Sequence, residues 1–169
     1  MLLIGVAFFV GLLLSYYVNT AFFQMLTLFS QNPLLFFLMI FINNITVSSL
    51  ILLGMTFYVR LVLSLFFQRE KHARVILEHP RIFAIVFAVV LLVLSILRGA
   101  NFFFGGIRIE ILPSILLVST PIGIVEGYGI YVTINKTLRR EVSIQDLVYI
   151  YAIFFVAAAI EVSFIALLK

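Results

Sequence analysis

The sequence predicts an all-α, polytopic transmembrane helix bundle of about five spans, and three observations carry that prediction. Hydrophobic residues make up 64% of the 169 and charged residues only 11%, against about 45–50% and about 25% in soluble domains. The mean hydropathy is +1.28, more apolar surface than a chain of this length can fold away from water. The apolar residues also fall into long runs separated by short polar stretches, which is how a chain crosses a bilayer repeatedly. One integral membrane domain covers 1–169, with no soluble domain and no internal repeat.

The first span is expected over Leu2 to Val18. It lacks a basic leader and a small-x-small cleavage site, so it reads as a span and not as a cleaved signal. Asn19 to Asn32 carries no charge but holds Phe22, Phe23, Met25, Leu26, Leu28 and Phe29. It is too apolar for a soluble loop and either extends the first helix or lies at the interface. Pro33 opens a 34-residue apolar run, Leu34 to Phe67, whose only charge is Arg60. As one straight helix it reaches about 51 Å, beyond a hydrocarbon core of about 30 Å. A long tilted helix, a broken one and a re-entrant hairpin all satisfy that mismatch. A break is expected at Asn43-Asn44 or at Gly54.

Gln68 to Arg81 is the most polar stretch, and Pro80 marks entry to the third span, Ile82 to Leu97. The Phe-Phe-Phe-Gly-Gly run at 102–106 reads as an interfacial anchor and turn. The fourth span, Ile111 to Ile134, has Pro113 suited to its first turn and Pro121 predicting a kink. Asn135 to Asp146 reads as a polar loop and Leu147 to Leu168 as the last span. Loops 68–81 and 135–146 together hold seven of the eleven Lys and Arg residues. The positive-inside rule therefore makes both cytoplasmic in a multi-pass protein of the cell membrane.

Composition also excludes several chemistries. There is no cysteine, hence no disulfide or thiolate. His72 and His79 are too few for a metal site and read as solvated loop residues. The net charge of +4 is spread over short loops, as membrane orientation requires, and does not indicate nucleic acid as a partner. No nucleophile–base pair, phosphate-binding loop, nucleotide fingerprint or HExxH motif occurs. No catalytic residue, cofactor or metal is expected, and the chain does not read as an enzyme.

The informative residue is Glu126, the one charge between Ile111 and Ile134. A carboxylate near a bilayer centre costs about 2.5–3.5 kcal/mol on insertion scales, so it faces protein, a cavity or a transport path. Three readings stand: a carboxylate paired or protonated inside the bundle, a substrate, ion or proton site, and a contact with another subunit. Ser119, Gly123 and Gly127 recur every four residues and form a face that admits a second backbone closely. Glu126 borders that face. Depth along the helices pairs Arg60 with Glu126 and, less strongly, Arg98 with Glu161. Snorkelling of both arginines to their interfaces is the alternative. Asn43 and Asn44 point about 100° apart and serve either interhelical hydrogen bonding or a helix break that offers carbonyls to a ligand. Arg139-Arg140 either sets topology or touches anionic lipid heads.

Two segments resemble the stage II sporulation protein M family, multi-spanning membrane proteins of bacteria and archaea. Ile40-Phe41-Ile42-Asn43-Asn44, followed by an apolar run to Gly54, is similar to that family's early Asn-containing helix. Pro121-Ile122-Gly123-Ile124-Val125-Glu126 resembles its later Pro-His-Gly-x-x-Glu element, with Ile122 where the family often has histidine. That departure weakens a proton relay built on a His–Glu pair. The sporulating members act in a membrane complex with peptidoglycan-degrading partners, while other relatives lack an assigned activity. The resemblance thus implies a helical membrane subunit, without a sporulation role. The expectation is a non-enzymatic subunit or scaffold acting through packing with itself, as a homo-oligomer, or with membrane-protein partners in the lipid bilayer. The alternative is a small transporter or channel-like subunit that passes an ion or small substrate by Glu126, Asn43, Asn44 and Glu161.

Overall fold

The computed structural model describes residues 32–63, 71–104, 110 and 112–168, and their regular structure is entirely helical. Five helices follow in order among these residues: α1 Pro33–Leu63, α2 Lys71–Glu78, α3 Pro80–Phe104, α4 Leu112–Arg139 and α5 Ile144–Leu168. The chain divides into two compact units, Met1–Met39 and Ile40–Lys169. The expected first span, Leu2 to Val18, lies outside the described residues. Pro33–Leu63 and Ile144–Phe164 are long and apolar enough to cross a membrane, and Pro80–Leu94 is a shorter apolar stretch.

Helix α1 begins with its own signals. Asn32 Oδ1 accepts from the amides of Leu34 and Leu35 at 3.1 and 3.3 Å, and Pro33 occupies the first helical position, where no amide is needed. The break expected at Asn43-Asn44 or Gly54 does not occur: α1 runs unbroken for 31 residues. Its polar residues are satisfied without opening the helix. The hydroxyls of Thr46, Ser48 and Thr56 donate to the carbonyls of Ile42, Ile45 and Leu52 within the same helix, and the Asn44 amide reaches another helix. Gly54 has open space around it, with no atom within 4 Å of where a Cβ would stand.

The connections are shorter than the polar stretches suggested. The 68–81 stretch contains α2, an amphipathic two-turn helix whose Ile76 and Leu77 pack against the core. Helix α3 runs on to Phe104, so Phe102 to Phe104 belong to the helix and not to a turn. Helix α4 continues to Arg139 and α5 begins at Ile144, reducing the expected loop over Asn135 to Asp146 to a tight turn.

Two local devices build that turn. The Arg140 amide donates to Thr137 and the Glu141 amide to Lys136, at 3.0 and 3.1 Å, with Arg140 at φ 59°. This is a Schellman closure with arginine in the left-handed position that glycine ordinarily fills. Ser143 and Asp146 then cap α5 reciprocally: Asp146 Oδ2 accepts from the Ser143 amide and hydroxyl, and Ser143 Oγ accepts from the Asp146 amide. Lys136 bridges the two helix ends by an ion pair to Asp146 at 3.3 Å.

Within Ile40–Lys169, α4 is the central element. Gly123 packs on Leu92 and Gly127 on Leu92 and the Ala88 carbonyl, so α3 and α4 are antiparallel. Gly129 lies under Phe154 and Ile153 of α5. Phe41 meets Phe155 edge-to-face at 5.4 Å and Ser49 shares a hydrogen bond with Tyr151 at 3.0 Å, so α1 is antiparallel to α5. As Lys136 meets Asp146 and Gly129 meets Phe154, α4 is also antiparallel to α5. It therefore runs parallel to α1. The core is built from Val59, Ala84, Ile130, Ile134, Leu138, Ile150 and Phe154. Helix α4 passes through Pro121 without ending. A proline there deprives the Leu117 carbonyl of its helical donor, and close packing from Ile122 onward carries the helix past that loss.

Three glycine-related substitutions separate these roles. Gly54→Ala gains helix propensity in open space and raises stability by about 0.8–1 kcal/mol. A Cβ at Gly129 would stand 2.9 Å from the buried Phe154 ring, so Gly129→Ala lowers stability by about 1–3 kcal/mol. Arg140→Gly removes the left-handed penalty and gains about 1 kcal/mol. Thermal unfolding in detergent reads all three, and equal effects at positions 54 and 129 would contradict this packing.

Candidate functional site

The polar interior centres on Glu126. Its position on α4 is set by helical spacing: Gly123 and Gly127 face α3, and Gly129 faces α5. The Glu126 side chain therefore projects among helices whose backbones lie close to its own. It is 7% exposed. Asn44 on α1, also 7% exposed, donates from Nδ2 to Glu126 Oε1 at 3.2 Å. These residues are 82 apart in the chain, so the bond exists only once α1 has docked. Hydrogen bonds between helices of membrane proteins contribute on average about 0.6 kcal/mol, up to about 1.7. An unpartnered carboxylate there would cost more than either figure.

Arg60 does not join this pair, contrary to the depth argument. It lies sixteen residues beyond Asn44 on the same helix, about 24 Å away along the axis, and its side chain is exposed. The depth estimate failed because the position of α1 along α4 is decided by side-chain packing and not by where each apolar run starts. Asn43 is half-buried and faces about 100° away from Asn44. Glu161 is half-buried on α5, four residues past Ala157, which stands near the level of Glu126. That is about 6 Å along the axis from Glu126. The Arg98 side chain lies outside those described, and the Arg98–Glu161 pairing with it.

Beside Ser119, which the small-residue spacing marked, further polar groups line the same interior. Ser48, Ser119, Thr133 and Thr137 are buried. Thr133 and Thr137 donate to the carbonyls of Gly129 and Thr133, while Ser119 Oγ and Asn135 Oδ1 have no hydrogen-bond partner among the described residues. Ser119, Glu126 and Thr133 follow at seven-residue steps, so the stripe was readable as a heptad in α4. Ser49–Tyr151 left no such signal, because a serine and a tyrosine in different apolar runs meet only through packing. Among the described residues no three His, Asp or Glu side chains gather as a metal site would require. An apolar groove of about 350 Å³ runs along α5 between Phe155, Val156, Ala159, Ile160, Ser163 and Phe164, and Glu126 is not in its lining.

The exterior is the reverse of the interior. On α3, Ile82, Ile85, Val86, Val89, Val90, Val93 and Leu94 are all exposed. They form a continuous apolar stripe at helical spacing, opposite the buried Ala84 and Ala88. On α1 the exposed face carries Leu50, Leu53 and Phe57, and on α5 Val148, Phe155 and Val156. Large apolar side chains thus cover the outside as well as the core, while Asn44, Ser48, Ser119, Glu126, Thr133 and Thr137 are buried. No known protein family, characterised protein or solved structure matches the chain.

A double-mutant cycle tests the central pair. Asn44→Ala and Glu126→Ala couple by about 0.6–1.7 kcal/mol in thermal unfolding, whereas Arg60→Ala and Glu126→Ala are additive. Coupling of Glu126 to Arg60 instead would remove the assignment.

Proposed function

We propose that the chain is a multi-pass integral membrane protein of about five crossings that acts as a non-enzymatic subunit or scaffold. The observation that carries this reading is the inverted polarity: the stripe from Ile82 to Leu94 faces outward, while Glu126 and Asn44 bond to each other inside. In water such a stripe would be an aggregation surface; against acyl chains it costs nothing. Helix α1, at about 46 Å, matches a bilayer with its headgroup layers, about 40–45 Å. The basic ends at 68–81 and 135–146 then lie on the cytoplasmic side of the cell membrane.

The resemblance to the stage II sporulation protein M family supports the subunit reading. The two segments that carry it are the ones joined by the Asn44–Glu126 hydrogen bond. In this reading both motifs maintain the bundle, and Gly123 and Gly127 are occupied within the chain by α3. Self-association or a protein partner then uses the outer faces of the helices. A second reading, a small transporter or channel-like subunit, draws on Ser119: its hydroxyl is buried without a partner two turns from Glu126, as in a polar path along α4.

The absence of cysteine makes topology directly testable. Single replacements Glu78→Cys and Glu141→Cys are expected to label from the cytoplasmic side and Glu110→Cys from the other, with the chain staying in the membrane pellet through a carbonate wash. Release by carbonate would end the membrane reading. Glu126→Gln separates the two functional readings, since it keeps the Oε1 acceptor used by Asn44. A scaffold retains both stability and assembly in this variant. Proton or cation flux into liposomes that the variant abolishes at unchanged stability would favour the transporter.

A further inference from the structure

Four arginines gather at one end of the Ile40–Lys169 unit. Because Asn44 is level with Glu126 and α1 runs parallel to α4, Arg60 comes level with Val142 in the α4–α5 turn. Arg139 and Arg140 close α4 beside that turn. Arg81 opens α3 at the level of Ile134, since Ala88 lies against Gly127 on an antiparallel helix. All four side chains are exposed, and none forms an ion pair among the described residues. The nearby Asp146 is already engaged by Lys136 and Ser143. The amphipathic α2 packs its Ile76 and Leu77 on the core at this same end, close to α3 and α4.

Three tyrosines lie inside the level of Arg60, Arg139 and Arg140. Tyr128 stacks on Tyr131 at 6.4 Å and shares a hydrogen bond with Tyr149 at 3.2 Å. Tyr128 and Tyr149 are about half exposed. Tyr131 stands about 12 Å from the end of α4, and Tyr149 about 8 Å from the start of α5. Exposed tyrosines with paired hydroxyls suit the boundary between acyl chains and headgroups. Arg60, Arg139 and Arg140, farther out, then stand at the depth of lipid phosphates, whose oxygens match the guanidinium fork, and the long side chain of Arg81 reaches that depth from the level of Tyr149.

We propose that this end is a docking surface for anionic phospholipid headgroups, formed by Arg60, Arg81, Arg139 and Arg140 and bordered by α2. The inference rests on the membrane reading above and adds the lipid class that the surface selects. The charge excess decides the class: a zwitterionic headgroup offers the arginines no net attraction, whereas an anionic one does.

The test measures binding of short-chain phosphatidylglycerol to the full chain in detergent, with phosphatidylcholine of equal chain length as reference. Phosphatidylglycerol is expected to bind more tightly, and 0.5 M salt to erase much of the difference. Each arginine removed, as in Arg139→Gln or Arg60→Gln, lowers the affinity about five-fold. Glu141→Gln removes a repelling carboxylate and raises it. Equal binding of the two lipids, unchanged affinity in the arginine variants, or inorganic phosphate competing as well as phosphatidylglycerol would overturn the proposal. A chain that resists carbonate extraction yet fails to discriminate between these lipids overturns this inference and leaves the membrane reading intact.

Discussion

A polar group placed among apolar side chains needs a partner from the protein itself, and in this chain that requirement falls most heavily on the Glu126 carboxylate. Asn44 meets it from 82 residues away. The bond is modest in energy, yet it meets part of the cost of burying a carboxylate, which is larger than the bond itself. That asymmetry makes the pair a register lock: α1 has one position along α4 in which both groups are satisfied. A slide of one turn would break the bond between the amide and the carboxylate. The neighbouring Ser49–Tyr151 contact and the Phe41–Phe155 edge contact fall into place from the same alignment.

Close approach of backbones makes this interior workable. Gly123, Gly127 and Gly129 let α3 and α5 come near α4 from two sides, so Glu126 is enclosed by helices and kept from the exterior. The small residues and the carboxylate thus act together. Without the first, the second would be exposed to whatever surrounds the apolar stripe of α3. The hydroxyl groups solve the same problem locally, since Thr46, Thr56, Thr133 and Thr137 return their protons to carbonyls of their own helices.

The polar ends obey different rules from the interior. Around Arg140 the turn uses backbone closure, a reciprocal Ser143–Asp146 cap and one ion pair, all local in sequence. Arg139, Arg140 and Glu141 are exposed, so their charges are tolerated. Burial with a specific partner in the middle and exposed charge at the end give the unit a polarity along the helix axes.

Helical class and apolar exterior were legible from the residues alone, because a composition so poor in charge and runs so long leave the backbone no alternative to internal hydrogen bonding. The significance of Glu126, the small-residue face at Gly123 and Gly127 and the first-turn place of Pro113 followed from spacing, which is a local property. Helix bounds were less legible. Polar residues at 135–139 looked like a loop, although lysine and arginine are good helix formers near a C-terminus. The partner of Glu126 was beyond any local rule. Depth counting favoured Arg60, since charge attracts charge and both lay near the same side. Packing of α1 against α4 and α5 instead brought Asn44 into reach and carried Arg60 about 24 Å away. What one helix places opposite another depends on the register of their interlocking side chains, and that register is a property of the assembled unit.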